Sequence, residues 1–143
     1  KKDMRRIMKR LGLKEETFNQ PMEQMSRGMQ QKVAVTRGLL TSPILLLLDE
    51  PTTGLDPHSK RDVQGFVREI REVHDTTVLL TTHDMEEADR LCDRIAIIDE
   101  GKIVALDAPE GLKRSVVSKN GEKTSLENVF LSLTGHGLEE EGE

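Results

Sequence analysis

Residues 44–50, Ile-Leu-Leu-Leu-Leu-Asp-Glu, run five aliphatic side chains straight into two carboxylates. So continuous an apolar run reads as a central strand of a parallel sheet, covered on both faces. Ligands of open α/β sheets sit beyond the carboxyl ends of such strands, and Asp49 and Glu50 stand there. One carboxylate in that place can hold Mg²⁺, usually through water; its neighbour can orient or deprotonate an attacking water. A second apolar run, residues 76–82, closes on His83. A histidine so placed can donate to a γ-phosphate and help set the nucleophilic water. A third segment, residues 25–33, puts Ser26, Arg27, Gly28 and Met29 at the start of a helix. Free backbone N–H groups and the helix dipole favour an anion there; Ser26 adds a hydroxyl and Gly28 permits close backbone approach. The fourth segment, Thr-Thr-Gly-Leu-Asp-Pro over 52–57, reads as a turn into a helix, with Asp56 as N-cap and as a contact across an interface. Taken singly, each segment also has a plain structural reading: a strand edge, a polar residue opening a helix, a Ser-capped helix, a capped turn.

The elements that must position these residues are legible from periodicity. Met4, Ile7, Met8 and Leu11 form one stripe of a short basic helix that Gly12 can end. Residues 14–25 read as a short helix or loop broken by Pro21. A helix capped by Ser26 runs to about Leu40, with Met29, Val33, Thr36 and Leu40 on one face. After Asp56-Pro57, the residues Val63, Phe66, Val67 and Ile70 give the next helix its buried stripe. Asp84 and Glu87 have capping-box spacing before a helix whose inner face is Met85, Ala88 and Cys92. Residues 94–99 and 102–106 make a hairpin through Glu100-Gly101. Residues 109–115 are helical and 118–123 a loop; Thr124 and Glu127 form a capping box before a last helix that Gly135 ends. Residues 137–143 make an acidic, disordered tail. Strands alternating with helices give an α/β class.

Composition bounds the partners. The chain of 143 residues is 35% hydrophobic and 33% charged, with formal net charge -5, three Phe and no Tyr or Trp. The mixed, slightly acidic surface and the scarcity of stacking rings argue against nucleic acid. A single cysteine, Cys92, excludes an intrachain disulfide and a Cys-rich metal site. The four histidines lack metal-ligand spacing, and His58, His74 and His136 read as surface residues. No apolar run approaches the roughly 20 residues of a membrane helix. The opening Lys1-Lys2-Asp3 already sits inside a helical pattern, which is read as a boundary within a larger protein.

In this order and spacing, the four segments resemble the ATP-binding subunits of ABC transporters over nearly the whole chain. Residues 25–29 resemble the signature motif, usually Leu-Ser-Gly-Gly-Gln, with Arg27 in place of Gly and Met29 in place of Gln. Residues 44–50 resemble the Walker B strand with its catalytic glutamate, residues 53–56 the D-loop, and His83 the switch histidine. The Ser-Arg-Gly-Met-Gln wording and residues 125–135 are similar to subunits of ABC-2-type exporters. The resemblance implies the C-terminal part of a P-loop NTPase domain, with mainly parallel strands and the end of the helical subdomain. It divides into 1–41, the end of that subdomain with the signature helix; 42–106, the core from Walker B to the switch histidine; and 107–143, C-terminal helices and acidic tail. It implies ATP and Mg²⁺ as cofactors, with Glu50 and His83 catalytic, Asp49 at the metal, and Ser26, Arg27, Gly28, Met29 and Asp56 at nucleotide. It implies a second nucleotide-binding domain as head-to-tail partner, so that Ser26 and Gly28 serve the partner's ATP while Asp49, Glu50 and His83 serve the subunit's own. It further implies a membrane-spanning permease partner and a cytoplasmic place at the inner face of the membrane.

No G-x-x-x-x-G-K-[ST] occurs among these residues. The expectation is therefore that the 143 residues alone neither bind nor hydrolyse ATP and that they self-associate through exposed apolar surface and strand edges. Two other readings stand beside the transporter engine: an ABC ATPase without a transporter, and, for these residues in isolation, a non-catalytic interaction module.

Overall fold

The computed structural model describes residues 2–73, 76–116 and 124–135. The loop expected over 118–123, the acidic tail over 137–143, and His74 and His136 lie outside the described residues. The chain forms two compact units, Lys1–Thr81 and Thr82–Glu143.

In the first unit, α1 (Lys2–Arg10) buries Met8, and Leu11 is buried just beyond it, as the stripe requires. Gly12 ends the helix at φ +74°, its N–H donating to the Lys9 carbonyl. Two 3-10 turns, Glu15–Asn19 and Met22–Gln24, flank Pro21. There follow α2 (Arg27–Leu39), β1 (Leu45–Asp49), α3 (Pro57–Val73) and β2 (Thr77–Thr81). β1 and β2 are parallel neighbours, registered from Leu45 opposite Thr77 to Asp49 opposite Thr81. The helix α3 between them makes a βαβ unit, which brings the carboxyl ends of both strands to the same edge. α3 buries the four expected residues, Val63, Phe66, Val67 and Ile70; each contributes roughly 1.5–3 kcal/mol through burial.

Two expectations for this unit are corrected. β1 is not covered on both faces: Leu46 and Leu48 are buried, whereas Leu45 and Leu47 are 54% and 65% exposed. Within the unit the helices pack one face of a two-stranded sheet, and a methyl group on Gly38 of α2 would stand 3.1 Å from Leu46 Cδ1. The buried face of α2 also differs. It comprises Gly28, Lys32, Val35 and Thr36, with Met29 and Val33 half-buried and Leu40 exposed just past the helix end. The cause is a lysine whose partner lies on α3: Lys32 Nζ donates to Asp62 Oδ2 at 2.7 Å, so a charged side chain occupies the inner face. Thr36 Oγ1 donates to the Lys32 carbonyl at 2.8 Å, satisfying a buried hydroxyl within the helix.

In the second unit, α4 (Met85–Leu91) is followed by the antiparallel hairpin β3 (Ile95–Asp99) and β4 (Lys102–Asp107), then α5 (Pro109–Ser115) and α6 (Leu126–Thr134). Glu100 and Gly101 both take positive φ, +45° and +73°, which is what a two-residue hairpin turn demands. Ala88, Ile97, Leu112, Leu126 and Val129 form the core, with Met85, Ile95, Ala105, Val116 and Phe130 packed against it. Asp84 caps α4 by accepting from the Glu87 N–H at 2.9 Å, as its spacing predicts. The cap of α6 is Ser125 and not Thr124: Ser125 Oγ accepts from the Asn128 N–H at 3.2 Å. Thr124 is buried and instead donates to the Val116 carbonyl at 3.3 Å. Gly135 closes α6 at φ +71°.

Candidate functional site

The strand register builds the carboxylate end of the site. Because Asp49 stands opposite Thr81, one threonine hydroxyl serves two consecutive residues. Thr81 Oγ1 donates to Asp49 Oδ1 and accepts from the Glu50 N–H at 3.2 Å, while the Thr81 carbonyl accepts from the same N–H at 3.0 Å. Asp49 and Glu50 are both exposed. Glu50 leaves the strand at φ +42°, in the left-handed region that few non-glycine residues enter. Such conformations persist where the surroundings over-determine them. Here the ladder holds the Glu50 N–H, Thr53 Oγ1 donates to Glu50 Oε2 at 2.9 Å, and the Thr53 N–H donates to the Glu50 carbonyl at 3.3 Å. Buried Pro51 and Thr52 anchor the loop beneath, and Gly54 reverses it at φ +69°.

That loop leads to Asp56, the N-cap of α3. Asp56 Oδ1 accepts from the N–H groups of His58 and Ser59, both at 3.0 Å. The hydrogen bond from the Ser59 side chain, followed by that from its N–H, pulls the Asp56 carboxyl down to about 2. Asp56 is thus a carboxylate at neutral pH, held by the donors that open the helix.

The opposite wall is the start of α2. Ser26 caps it in extended conformation, with Oγ accepting from the Met29 N–H at 3.3 Å. Gln30 Nε2 donates to the Met22 and Met25 carbonyls at 2.9 and 3.2 Å, tying the preceding turn to the helix. Buried Gly28 faces α3: a methyl group on it would stand 2.8 Å from Ser59 Oγ and 3.8 Å from Asp56 Oδ2. The Arg27 side chain lies against Gly54. The structure therefore brings Arg27 to Gly54 and Gly28 to Asp56, and joins Asp49 and Glu50 through Thr81. Ser26 and Met29 frame the helix start on the same turn as Arg27 and Gly28. His83 belongs to the second unit, exposed at the entry to α4, where the Asp84 N–H donates to Thr82 Oγ1 at 3.1 Å. Thr53, Ser59 and the bridging role of Thr81 escaped sequence reasoning. Their hydroxyls matter only through partners three to thirty-two residues away, although Thr81 could have been found from the register of the two apolar runs.

Chemically, the end of β1 offers exposed carboxylate oxygens, hard donors of the kind that hold Mg²⁺ with water and phosphate oxygens. Among the described residues no group of three or more His, Cys, Asp or Glu could hold a metal by itself. No helix of the described residues is long and apolar enough to cross a membrane.

The chain is similar to known proteins in sequence and in fold. The family described as "AAA domain, putative AbiEii toxin, Type IV TA system" matches residues 10–89. A fluoroquinolones export ATP-binding protein of Mycobacterium tuberculosis is 41% identical over 116 residues, covering 77% of this chain and 38% of that protein. An aliphatic sulfonates import ATP-binding protein of Agrobacterium fabrum is 41% identical over 128 residues, 90% of this chain and 49% of that one. Among solved structures, an ATP-binding subunit of an ABC transporter superposes with TM-score 0.76 at 26% identity, over 92% of this chain and 53% of that chain. A dimeric post-hydrolysis ATP-binding cassette bound to ADP and Pi superposes with TM-score 0.69 at 29% identity, over 75% of this chain and 46% of that one. The chain thus spans from about two fifths to half of the length of each of these four proteins.

Proposed function

Because the chain belongs to the ATP-binding domains of ABC transporters, as a partial nucleotide-binding domain of P-loop NTPase fold, we propose that it supplies one half of the catalytic machinery of a subunit that hydrolyses ATP to drive transport. The observation that carries this reading is the end of β1. Asp49 and Glu50 leave the sheet side by side, one bridged to Thr81, the other held by Thr53. Asp49 would hold Mg²⁺ through water, and the metal would neutralise charge on the nucleotide's phosphates. Glu50 takes the proton of the attacking water or orients it. His83 contributes a donor toward the γ-phosphate.

The start of α2 is assigned to a different nucleotide. Ser26 and Gly28, flanked by Arg27 and Met29, present a helix N-terminus suited to phosphate. In a head-to-tail pair of domains that end completes the partner's site, with Asp56 near the same interface. The similar cassette that is dimeric with ADP and Pi supports pairing of two such domains. A membrane-spanning permease as partner, and a place at the inner face of the membrane, follow from the transporter reading. Export is favoured by the Ser-Arg-Gly-Met-Gln wording and by the mycobacterial relative; the sulfonate import relative makes uptake the alternative. Flux of a labelled substrate in sealed vesicles separates the two.

The role of Glu50 is tested in the complete subunit. Glu50→Gln keeps the shape and removes the base, so turnover should fall by about 10²–10⁴-fold, the usual worth of a positioned general base. ATP binding should be unchanged. Turnover at the parent rate would remove Glu50 from the role.

A further inference from the structure

Arg27 stands where the resembled motif has glycine, and its placement gives it work other than touching phosphate. Its guanidinium lies over the Gly54 α-carbon. A methyl group there would stand 2.9 Å from both Cζ and Nη1, closer than contact allows, and a tight 3.3 Å from Nε. Gly54 is at φ +69°, so any other residue would be strained there and would also displace the arginine. The residue before it, Thr53, donates to the Glu50 carboxylate at 2.9 Å. Glu50, at φ +42°, depends on such local contacts to hold its conformation.

We infer that Arg27 is a positioning residue: by packing on Gly54 it fixes the Thr53 hydroxyl and so the aim of the Glu50 carboxylate. The inference rests on the hydrolytic role proposed for Glu50. It has a consequence for two sites at once. Arg27 lies in the first turn of α2, the turn assigned to the partner's nucleotide, while Glu50 serves the subunit's own. An anion seated at Ser26 and Gly28 is one residue from Arg27, and through Gly54 and Thr53 that seating bears on a carboxylate in the other site. Arginine suits the contact because its planar group can lie flat on a bare α-carbon; a lysine ammonium offers no such plane.

The test uses ATP turnover of the complete subunit with Arg27→Ala, Thr53→Val and the double variant, beside the parent and Glu50→Gln. Arg27 is exposed, so thermal unfolding of Arg27→Ala should match the parent. Its kcat should fall about 10- to 100-fold, the scale of a misplaced catalytic group, with KM for ATP unchanged. Because both act on one carboxylate, the double variant should be no slower than Thr53→Val alone, and Arg27→Lys should not restore the rate. A rise in KM at parent kcat would make Arg27 a nucleotide contact and overturn the inference. Parent-like turnover of Arg27→Ala, or losses that multiply in the double variant, would also overturn it. The Glu50→Gln arm separates the two levels: a slow Glu50→Gln with a fast Arg27→Ala sinks the positioning role alone, whereas a fast Glu50→Gln sinks both.

Discussion

At the scale of the residue, one hydroxyl organises two carboxylate-bearing positions. Thr81 reaches the Asp49 side chain and the Glu50 backbone from the neighbouring strand. Thr81→Val should cost about 1 kcal/mol, the net worth of a typical hydrogen bond, in denaturant unfolding of the complete subunit, and Thr81→Ser should recover it. Asp56 supplies a second prediction. Its pKa falls from 3.8 to about 2 on folding, so its charge favours the native state above about pH 4, and that contribution is lost as pH drops towards 2. Asp56→Asn should therefore flatten the decline in stability over that window, seen as a smaller acid shift of the melting temperature. An unaltered acid limb would mean that the cap is not charge-assisted. The position of Asp49 and Glu50 was legible in the sequence because an apolar run ending in carboxylates marks a strand end. Thr81 as their common partner becomes legible only once the two apolar runs are set in register, with Asp49 opposite Thr81.

At the scale of the element, α2 and α3 share a charged pair where apolar packing was expected. Lys32 is almost fully buried and Asp62 a quarter exposed, and the Asp62 carboxylate also lies 3.1 Å from His58 Nδ1. Removing only the acid strands a buried ammonium. Asp62→Ala should destabilise by about 3 kcal/mol, near the low end for a broken buried pair, whereas Lys32→Met with Asp62→Leu should cost much less. Chemical unfolding of the two variants checks the order. Periodicity found the buried stripe of α3 because Val63, Phe66, Val67 and Ile70 are apolar, although Gln64 is buried beside them, and the starts of α3 and α5 are marked by Pro57 and Pro109. It misplaced the face of α2 because a lysine cannot announce a partner thirty positions on. For α6, the spacing puts the capping box on Thr124, whereas its neighbour Ser125 makes the cap and the Thr124 hydroxyl goes to the Val116 carbonyl. Ser125→Ala should accordingly cost about 1 kcal/mol, measured by the same unfolding.

At the scale of the whole molecule, apolar residues lie open in both units. Leu45, Leu47 and Leu79 are exposed on the β1–β2 sheet of the first, and Ile98, Ile103 and Leu106 on the hairpin of the second. Surfaces of that kind mark contacts with further protein. The chain spans 38% of its mycobacterial relative, and a polypeptide of these 143 residues alone should associate with itself as concentration rises, and should show no Mg-ATP binding in calorimetry. The doubled coverage inferred for β1 from its continuous Leu run belongs to the same picture: four leucines in a row describe a strand with two neighbours' worth of cover, and one unit packs only one face.

In the proposed pairing, the α2 end and the β1 end would serve nucleotides in different copies of the domain. The most direct measurement is sedimentation of the complete subunit with ATP in the Glu50→Gln background, with and without Ser26→Arg. The expected result is an ATP-dependent dimer that Ser26→Arg abolishes while each subunit still binds ATP. A double variant that pairs as readily as Glu50→Gln alone would contradict it.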